Sequence, residues 1–378
     1  MGARIEAGSG SGWWQVPGVS DQLRDEGDDS SLPATMDALR WHGRRDVRLK
    51  RMATPRPRAG QALVRVRWAG LCGSDLEEFT DGPIVVGGIL TLGHEIVGTV
   101  ASAAADGTGP EAGTRVVVDV VNGCGACYWC AGGEEGQCPH LEVTGLHTDG
   151  GLAHYVLARA DRLIPVPDGL SLRTAALAEP LAVAVRAARK LECAGRSVLI
   201  VGGGTIGLLS AQVLRHAGAS PVVVLEPSAE RRAVATVLGI DAWWADSAEE
   251  RSAGLTTRFP ERGIDVVVEC SGGAGVVREA VRLGRPGCTV VLLSVLPDDQ
   301  LVDVTDIVLG EKTLIGSAAH RWDLDVAPAV QLLDAGTVRV DELITHTFPL
   351  DEAAKAFSVL ADRSSGAIKV LVDVGGTR

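Results

Sequence analysis

A short glycine-rich stretch constrains the fold of this chain more than any other part of its sequence. Residues 197–207 read SVLIVGGGTIG, in which an apolar run ends in a glycine turn and an apolar-periodic stretch follows. This pattern predicts a strand, a tight turn and a helix. Gly202, Gly204 and Gly207 have the G-x-G-x-x-G spacing, which allows the turn, close approach of a pyrophosphate and tight packing of helix on strand. The start of that helix would offer free backbone N–H groups to phosphates.

Glu226 is a second signal of the same kind. A further apolar run, residues 222–225, ends at Glu226, which lies 19 residues after Gly207. An acidic residue about 20 residues past the glycines can accept hydrogen bonds from both ribose hydroxyls of a dinucleotide. A 2′-phosphate would place like charge against this carboxylate, so the sequence predicts NAD rather than NADP as the cofactor.

Other residues of the predicted cofactor site lie close by. Thr205 and Ile206 fall at the start of the predicted helix, and Arg231 lies on the next helix, in the segment SAERRAV. Arginine binds the 2′-phosphate in NADP enzymes, so Arg231 could turn toward a phosphate. Arg231 could instead cover the adenine or lie in water. We favour this second interpretation, because a phosphate could bind beside Arg231 only if the charge of Glu226 were first neutralised.

The region that follows predicts a doubly wound parallel sheet, because strand candidates alternate with helical stretches such as 228–238 and 274–284. Ser271 and Ser294 follow the fourth and fifth strands, at the carboxyl edge where a dinucleotide lies. Six strands are predicted, at residues 198–201, 222–225, 242–244, 265–268, 289–293 and 313–316.

Four cysteines form the most specific spacing in the chain. The pattern is C-x2-C-x2-C-x7-C, and four thiolates in so compact a loop can close a tetrahedral shell around zinc. A disulfide pair and an iron–sulfur cluster are the alternatives; the former is disfavoured in a cytosolic chain and the latter has a different spacing at the fourth cysteine. A shell of four cysteines leaves no site for substrate, so this zinc would have a structural role. The cysteines are Cys124, Cys127, Cys130 and Cys138.

Further candidate ligands lie in the β-rich region before this cluster. The alternating segment QALVRVRW at 61–68 predicts a strand, and the next segment, GLCGSDLEEF, is interpreted as a loop. That loop contains Cys72, and the segment TLGHEIVGTV contains His94. Glu179 precedes Pro180 at a position that suits the start of a helix, where an acidic residue is also favoured by the helix dipole alone.

Composition limits the partners and the compartment. The chain has 378 residues, enough for two domains, and a net charge of −12, which argues against a nucleic-acid partner. No secretory signal precedes the domains, and the long uncharged run at 197–214 contains the glycine turn, so it is not expected to span a membrane. With the metal-type cysteine pattern, these features favour the cytoplasm.

Residues 1–35 differ from the rest of the chain. GSGSG at 8–12 resembles a linker, and DEGDDSS at 25–31 is an acidic polar run. Both predict disorder, so this part is interpreted as an N-terminal extension.

Five segments occur in one order: CGSDL, GHE-x-x-G, the four-cysteine lobe, AEPLAVA and GGGTIG. In that order they resemble the zinc-dependent medium-chain dehydrogenase/reductase family of the alcohol dehydrogenase superfamily, and most of all its sorbitol, threonine and 2,3-butanediol dehydrogenase branch. The resemblance covers residues 36–374. It implies an α/β fold, in which a GroES-like β-rich catalytic domain is joined to a Rossmann domain with a doubly wound parallel sheet.

The resemblance also implies the boundaries of these domains. The catalytic domain would take residues 36–180, with the structural zinc lobe at 122–140, and the NAD-binding domain would take 181–319. Residues 320–378 would return to the catalytic domain. A homodimer or homotetramer is implied as well.

Roles for individual residues follow from the same resemblance. Cys72, His94 and Glu179 would be the ligands of a catalytic zinc, so that each chain carries two zinc ions, although cobalt and manganese stay open as alternatives for this mixed ligand set. Glu95 would be a neighbouring carboxylate that enters or leaves the zinc shell, with water as the alternative.

The resemblance assigns three further residues to the reaction. Asp75 would orient His94 by accepting a hydrogen bond from its free ring nitrogen. Ser74 would contact the substrate oxygen and pass its proton outward. The family usually has histidine three residues after this serine, where the chain has Glu77; glutamate can also accept a proton, or the path can run through the cofactor ribose and water. His154 is a second departure, at a position where glutamate is common.

These roles imply a zinc-dependent oxidoreductase that transfers hydride between NAD and a secondary alcohol or ketone, such as a polyol, diol or amino alcohol. A sugar or aminocyclitol dehydrogenase of a specialised pathway is an alternative, and a dinucleotide-binding protein that has lost catalysis is an alternative of another class. The complete set of ligand residues argues against the last of these.

Overall fold

The computed structural model describes residues 32–260, 263–295 and 299–376. The expected N-terminal extension therefore lies outside the described residues except for 32–35. No helix of the described residues is both long enough and apolar enough to cross a membrane.

The first half of the described chain is rich in strands. Its strands are β1 (Thr35–Gly43), β2 (Asp46–Ala53), β3 (Gln61–Leu71), β4 (Leu90–Thr91), β5 (Glu95–Ser102), β6 (Arg115–Val118), β7 (Val121–Asn122), β8 (Glu142–Val143), β9 (Tyr155–Arg159) and β10 (Leu163–Pro165). Its helices are α1 (Gly73–Asp81), α2 (Tyr128–Ala131), α3 (Leu172–Ala175) and α4 (Ala178–Arg189).

Strands and helices alternate in the next part, and the chain then ends in a mixed segment. The alternating part contains β11 (Val198–Val201), α5 (Thr205–His216), β12 (Val222–Leu225), α6 (Ala229–Val237), β13 (Asp241–Trp243), α7 (Ala248–Arg258), β14 (Val266–Glu269), α8 (Val276–Leu283), β15 (Thr289–Leu292), α9 (Val304–Leu309) and β16 (Thr313–Gly316). The final segment contains a π-helical turn (Trp322–Val326), α10 (Ala327–Asp334), β17 (Ile344–Pro349), α11 (Ala353–Ala361) and β18 (Lys369–Asp373).

The largest sheet is built around β3. This strand pairs antiparallel with β5, β9 and β18, and the sheet continues through β6 to β10 on one side and through β17 on the other. The last strand of the chain thus lies beside one of the first. Strands β2, β1 and β4 form a smaller sheet.

Strands β11 to β16 form a six-stranded sheet in the order β13-β12-β11-β14-β15-β16. All its neighbouring pairs are parallel. The runs VLIV, VVVL and VVVE are fully buried, as expected for central strands that are covered by helices on both faces. The prediction of a doubly wound parallel sheet is confirmed, and the six predicted strands agree with the observed ones to within one residue.

The prediction of a loop at GLCGSDLEEF is wrong, because helix α1 begins at Gly73. The segment has little apolar periodicity, so its pattern gave no helical signal. Its helical start depends on one side chain: the Asp75 carboxylate accepts a hydrogen bond from the backbone N–H of the N-cap residue Cys72, with a distance of 3.0 Å. Such a contact satisfies one of the free N–H groups at a helix start.

Helix α4 packs between the two large sheets. Leu181 and Val185 of this helix belong to an apolar cluster that includes Val97 and Val117 of the first sheet and Val198 of the second. This packing sets the first turn of α4, which carries Glu179, beside both sheets.

Candidate active site and structural metal centre

The four cysteines of the predicted lobe converge on one point. Their sulfur atoms all lie within 4.8 Å of one another. Cys127 Sγ is 3.5 Å from Cys130 Sγ and 3.8 Å from Cys138 Sγ, too far for a covalent S–S bond of about 2.05 Å. A tetrahedral zinc with Zn–S bonds of about 2.3 Å needs sulfur atoms roughly 3.8 Å apart, and the observed spacing fits that requirement.

The thiols of this lobe also behave as a set that needs a cation. Backbone N–H groups of Ala126 and Cys127 lower the pKa of the Cys124 thiol to about 6, whereas burial raises the pKa of Cys130 to about 12. Thiols this close resist joint ionisation because the thiolates repel one another. A divalent metal would remove that repulsion and hold all four as thiolates.

A second group of side chains lies at the start of α1. The buried Asp75 carboxylate accepts from the backbone N–H of Gly93 at 3.0 Å as well as from that of Cys72. Its Oδ1 is 3.4 Å from His94 Nδ1, while the other ring nitrogen, Nε2, is 3.5 Å from Ser74 Oγ. Burial alone would raise the pKa of Asp75, but His94 and the two N–H groups outweigh it and the pKa is lowered. Asp75 is therefore a charged acceptor that orients the imidazole.

Glu95 is bound to a residue that the sequence patterns did not single out. Lys369 of β18 donates to both Glu95 carboxylate oxygens, at 2.6 and 2.8 Å, and to the carbonyl of Leu71 at 3.0 Å. Both charged side chains are almost completely buried. A Cβ at Gly70 would lie 1.8 Å from Glu95 Oε2, so only glycine leaves room for the carboxylate there.

Glu179 faces another buried residue that was not predicted. His320 Nε2 lies 3.1 Å from Glu179 Oε1, and His320 Nδ1 lies 3.4 Å from Asp119 Oδ1. Burial opposes a charge on this imidazole, but the hydrogen bond to Glu179 and the Asp119 carboxylate outweigh it and raise the pKa of His320. The same hydrogen bond, with the positive charges of His94 and Lys369, lowers the pKa of Glu179 against the effect of burial.

The structure thus brings the predicted zinc ligands into one largely buried neighbourhood without closing them around a single point. Electrostatic interactions link Cys72 with His94, and His94 with Glu179. Across the described ranges, however, only the four-cysteine lobe brings three or more ligand atoms within 4.8 Å of one another. The donor types of Cys72, His94 and Glu179 fit zinc, and contacts with Asp75 and His320 hold two of the three in place.

Ser74 and Glu77 occupy different environments on α1. Ser74 Oγ lies 3.5 Å from His94 Nε2 and is partly buried. Glu77 is exposed on the same helix. Its pKa is raised by partial desolvation and by the neighbouring Asp81 and Glu78 carboxylates. Ser74 therefore lies at the imidazole of His94, and Glu77 faces solvent.

The glycine turn has the geometry that its spacing predicted. Gly202 has φ of +107°, and a Cβ there would lie 3.0 Å from Ser271. A Cβ on Gly207 would lie 1.9 Å from the carbonyl oxygen of Gly202, so a side chain would push the helix away from the turn. Gly204 is the N-cap of α5, with Thr205 and Ile206 in its first turn. The turn therefore leaves an open helix start of the kind that binds phosphate.

Glu226 lies buried against this turn. Its Oε2 accepts from the backbone N–H of Gly203 at 2.6 Å, and its Oε1 accepts from that of Ser228 at 2.8 Å. Arg231 Nη1 is 4.0 Å from the same carboxylate. The acidic and the basic candidate for cofactor discrimination are therefore neighbours.

Ser271 and Ser294 lie at the carboxyl edge of the parallel sheet. Ser271 donates from its hydroxyl and its backbone N–H to Glu269 Oε1, at 2.9 and 2.7 Å. Gly272, the next residue, lies close to Ser294, since a Cβ there would be 4.0 Å from Ser294 Oγ. Ser271 also lies against Gly202, so this serine borders the glycine turn and Ser294 lies next to its neighbour Gly272.

A single segment joins the two sets of residues. Thr205 donates its hydroxyl to the carbonyl of Ile368 at 2.8 Å, and Arg231 donates to the carbonyl of Ala367 at 3.1 Å. The next residue is Lys369, which binds Glu95. The glycine turn and the catalytic neighbourhood are therefore held to the same three residues.

Two of the residues missed by sequence reasoning had signals that could have identified them. Lys369 is the one charge at the start of an apolar strand, IKVLVDV, and a buried charge requires a partner. His320 has the weaker signal of a lone histidine just after the last predicted strand. Asp119, which faces it, follows the buried run of β6.

Comparisons with known proteins agree with this arrangement. Residues 58–168 match the model of the alcohol dehydrogenase GroES-like domain, and residues 205–335 match that of the zinc-binding dehydrogenases. A sorbitol dehydrogenase of Halalkalibacterium halodurans is 31% identical over 88% of this chain and 96% of its own length. The (R,R)-butanediol dehydrogenase of Bacillus subtilis is also 31% identical, over 89% of this chain and 99% of its own.

Solved structures agree as well. A protein of Sinorhizobium meliloti 1021 that was solved with bound NADP has a TM-score of 0.83 and 31% identity, and the match covers 90% of this chain and all of that one. The chain belongs to the zinc-dependent medium-chain dehydrogenase/reductase family. It is an oxidoreductase that acts on an alcohol group with a nicotinamide cofactor, as its sequence motifs predicted.

Proposed function

We propose that this protein is an NAD-dependent dehydrogenase of a secondary alcohol in a polyol, diol or amino alcohol. The observation that carries the proposal is the contact of both sites with residues 367–369, which sets the start of α5 beside the catalytic neighbourhood. Relatives that share about 31% of the sequence are named for sorbitol and butanediol, which carry secondary alcohol groups.

Two metal sites are part of the proposal. The four-cysteine lobe would hold a structural zinc, and Cys72, His94 and Glu179 would hold a catalytic one. When bound, the catalytic zinc and NAD supply a Lewis acid for the alcohol oxygen and an acceptor for hydride. A zinc with three protein ligands keeps one position for substrate, in contrast to the closed lobe.

The residues of the chain would then have separate tasks. Asp75 fixes the imidazole of His94 by facing its Nδ1. Ser74, whose hydroxyl lies 3.5 Å from His94 Nε2, would accept the proton of the substrate hydroxyl and pass it on. Glu77, exposed on the same helix, would release that proton to solvent. Lys369 would hold Glu95 away from the metal while the two are paired. Glu95 could approach the metal only when its carboxylate leaves Lys369.

A substrate panel tests the proposed activity. Purified enzyme would be given NAD and a series of polyols, vicinal diols, amino alcohols, sugars and aminocyclitols, and reduced cofactor would be followed at 340 nm. We expect turnover with at least one secondary alcohol and dependence on bound zinc. No turnover with any of these classes, in protein that contains two zinc ions, would contradict the proposal.

Preference for NAD over NADP is a separate proposal, supported by Glu226. Its buried carboxylate is fixed by two backbone N–H groups beside the glycine turn, where the adenosine ribose would be bound. A 2′-phosphate there would meet like charge, at a cost of a few kcal/mol or roughly a hundredfold in preference. Arg231, 4.0 Å away, is the residue that would bind such a phosphate if the carboxylate were removed.

The cofactor proposal can be tested by comparing kcat/KM for NAD and NADP in wild type and in Glu226→Ser. We expect wild type to prefer NAD and the variant to lose most of that preference. An Arg231→Ala change in the Glu226→Ser background should then weaken NADP again. Preference for NADP in wild type would overturn this assignment.

Self-association is also proposed, through the edge of the parallel sheet. Strand β16 is last in the sheet order and its outer edge pairs with no other strand in the described part of the chain. Apolar side chains of and near α9, the helix that precedes β16, are widely exposed, including Leu301 at 73%, Val308 at 65% and Leu309 at 80%. A second copy would cover this surface.

Light scattering would test the assembly. Leu309→Glu should shift a dimer or tetramer toward smaller species, whereas Val237→Glu, at a 57% exposed valine on α6, should not. A monomeric wild type would contradict this part of the proposal.

A cytoplasmic location is proposed from the cysteine lobe, since its thiols must stay reduced to bind metal.

A further inference from the structure

His320 is a buried histidine that none of the sequence motifs contains. It follows β16 and has 2% of its surface exposed. Its two ring nitrogens face carboxylates, Nε2 at 3.1 Å from Glu179 Oε1 and Nδ1 at 3.4 Å from Asp119 Oδ1. The hydrogen bond at Nε2, together with the negative charge that faces Nδ1, favours one ring orientation.

The backbone that follows His320 is fixed as well. The backbone N–H of Arg321 donates to Asp325 Oδ2 at 2.7 Å across the π-helical turn Trp322–Val326. Asp325 is completely buried and forms ion pairs with Arg189 at 2.6 Å and with Arg186 at 3.5 Å. Turns of π-helix are rare and are found frequently at functional sites.

Helix α4 carries the residue that His320 contacts and also the arginines that pair with Asp325. Its first turn carries Glu179, and two turns later its arginines bind Asp325. Arg186 also binds Glu134 of the cysteine lobe at 2.6 Å, which ties the same helix to the structural metal centre. The distance between Glu179 and His320 is therefore set by one rigid element and its ion pairs.

We propose that His320 is the positioning residue for Glu179, which it holds by an Nε2–H···Oε1 hydrogen bond so that the carboxylate is presented to the catalytic metal in one orientation. The proposal rests on the proposed function, because it takes Glu179 as a ligand of that metal. The bond uses one carboxylate oxygen and leaves the other for the metal. Partners that orient a metal ligand in this way typically change metal affinity by about 10–100-fold when they are removed.

Two substitutions separate positioning from simple space filling. In His320→Gln the side-chain amide nitrogen can take the place of Nε2 and still donate to Glu179. In His320→Asn the amide nitrogen takes the place of Nδ1 and can donate only toward Asp119. Both variants keep a polar group at the site, so they are matched controls for each other.

The first measurement is metal affinity, by competition of zinc between the protein and a chelator, with the cysteine lobe as an internal standard. We expect His320→Asn to weaken the catalytic site by about 10–100-fold and His320→Gln to restore most of that loss. The absorption spectrum of Co²⁺ placed in the catalytic site should change in the Asn variant and return toward wild type in the Gln variant. Equal losses in both variants, of metal or of folded protein, would overturn the proposal.

A double-mutant cycle gives the second measurement. If His320 acts through Glu179, then His320→Asn should have little further effect on metal affinity in a Glu179→Gln background. Additive effects would mean that His320 acts independently, which overturns the positioning role. A wild-type protein that never binds a second zinc would instead refute the proposed function, so the two failures are distinguishable.

Discussion

The cysteine lobe and the catalytic neighbourhood bring candidate metal ligands together in different ways. The lobe takes all its ligands from residues 124–138, partly exposed to solvent, and its sulfur atoms are already close together. The proposed catalytic residues come from around the starts of α1 and β5 and from the first turn of α4, and three of them are buried and held by a further charged residue: His94 by Asp75, Glu179 by His320, Glu95 by Lys369. A site made by local spacing needs few supporting residues, whereas a site assembled across the fold needs a second layer of charges.

The largest expected effect comes from the catalytic side of this comparison. Cys72→Ala should reduce kcat/KM by at least about a thousandfold, because the Lewis acid contributes several kcal/mol of transition-state stabilisation. Zinc content should fall from two equivalents to one, and the melting temperature should change little. Two equivalents of zinc retained in this variant would show that Cys72 is not a ligand.

Cys127→Ser tests the cysteine lobe. A closed structural site contributes folding free energy directly, so this variant should lose one zinc and several kcal/mol of stability, with a clear fall in melting temperature. Residual activity should track the folded fraction. If activity fell while the melting temperature stayed the same, the lobe would have a catalytic role and the contrast between the two sites would not hold.

Lys369→Met tests the charged residues that support the catalytic site. Removal of one partner from a buried ion pair typically costs about 3–5 kcal/mol, since the remaining charge is left without compensation. The pKa of Glu95 is already raised by burial, and loss of the lysine would raise it further. A group whose pKa is higher in the folded state stabilises the fold at low pH and loses that contribution as pH rises through the folded pKa.

The unfolding free energy of Lys369→Met should therefore fall more at pH 8 than at pH 5. Lys355→Met is the matched control, because Lys355 pairs with Glu352 at 3.0 Å with both side chains largely exposed. Its cost should be about 1 kcal/mol or less at either pH. Equal costs for the two lysines would mean that the Glu95 pair does not support the site.

The smallest expected effect concerns Glu77. If this carboxylate releases the proton, the wild-type rate of alcohol oxidation should rise with pH through its raised pKa, and Glu77→Gln should lack that rise while cofactor affinity stays the same. Asp81→Asn should move the inflection of wild type to lower pH, because the Asp81 carboxylate helps to raise the pKa of Glu77. Identical pH–rate profiles in all three proteins would show that the proton leaves by another route.

Local patterns predicted the parts of this molecule that are made locally. The six parallel strands follow from short apolar runs, and the glycine turn and the cysteine lobe follow from spacing within about 15 residues. Helix α1 was missed because its start depends on the Asp75 carboxylate rather than on apolar periodicity. A resemblance to a known family identified the ligand candidates Cys72, His94 and Glu179, which no spacing rule connects.

The supporting charges could not be predicted in the same way. Lys369 and Glu95 are 274 residues apart, and His320 and Glu179 are 141 residues apart. A pairing over such a distance is decided by the packing of whole sheets and helices, and each partner alone looks like an ordinary charged or polar residue.

Residues 367–369 place one short segment in contact with both halves of the enzyme. Ala367 and Ile368 accept hydrogen bonds from Arg231 and Thr205 of the cofactor side, and Lys369 binds Glu95. A rotation of one half against the other would therefore strain or break the contacts of these three residues. A chain cut before residue 367 would keep every cysteine, every motif glycine and the whole six-stranded parallel sheet, and would still lose these contacts between the two halves.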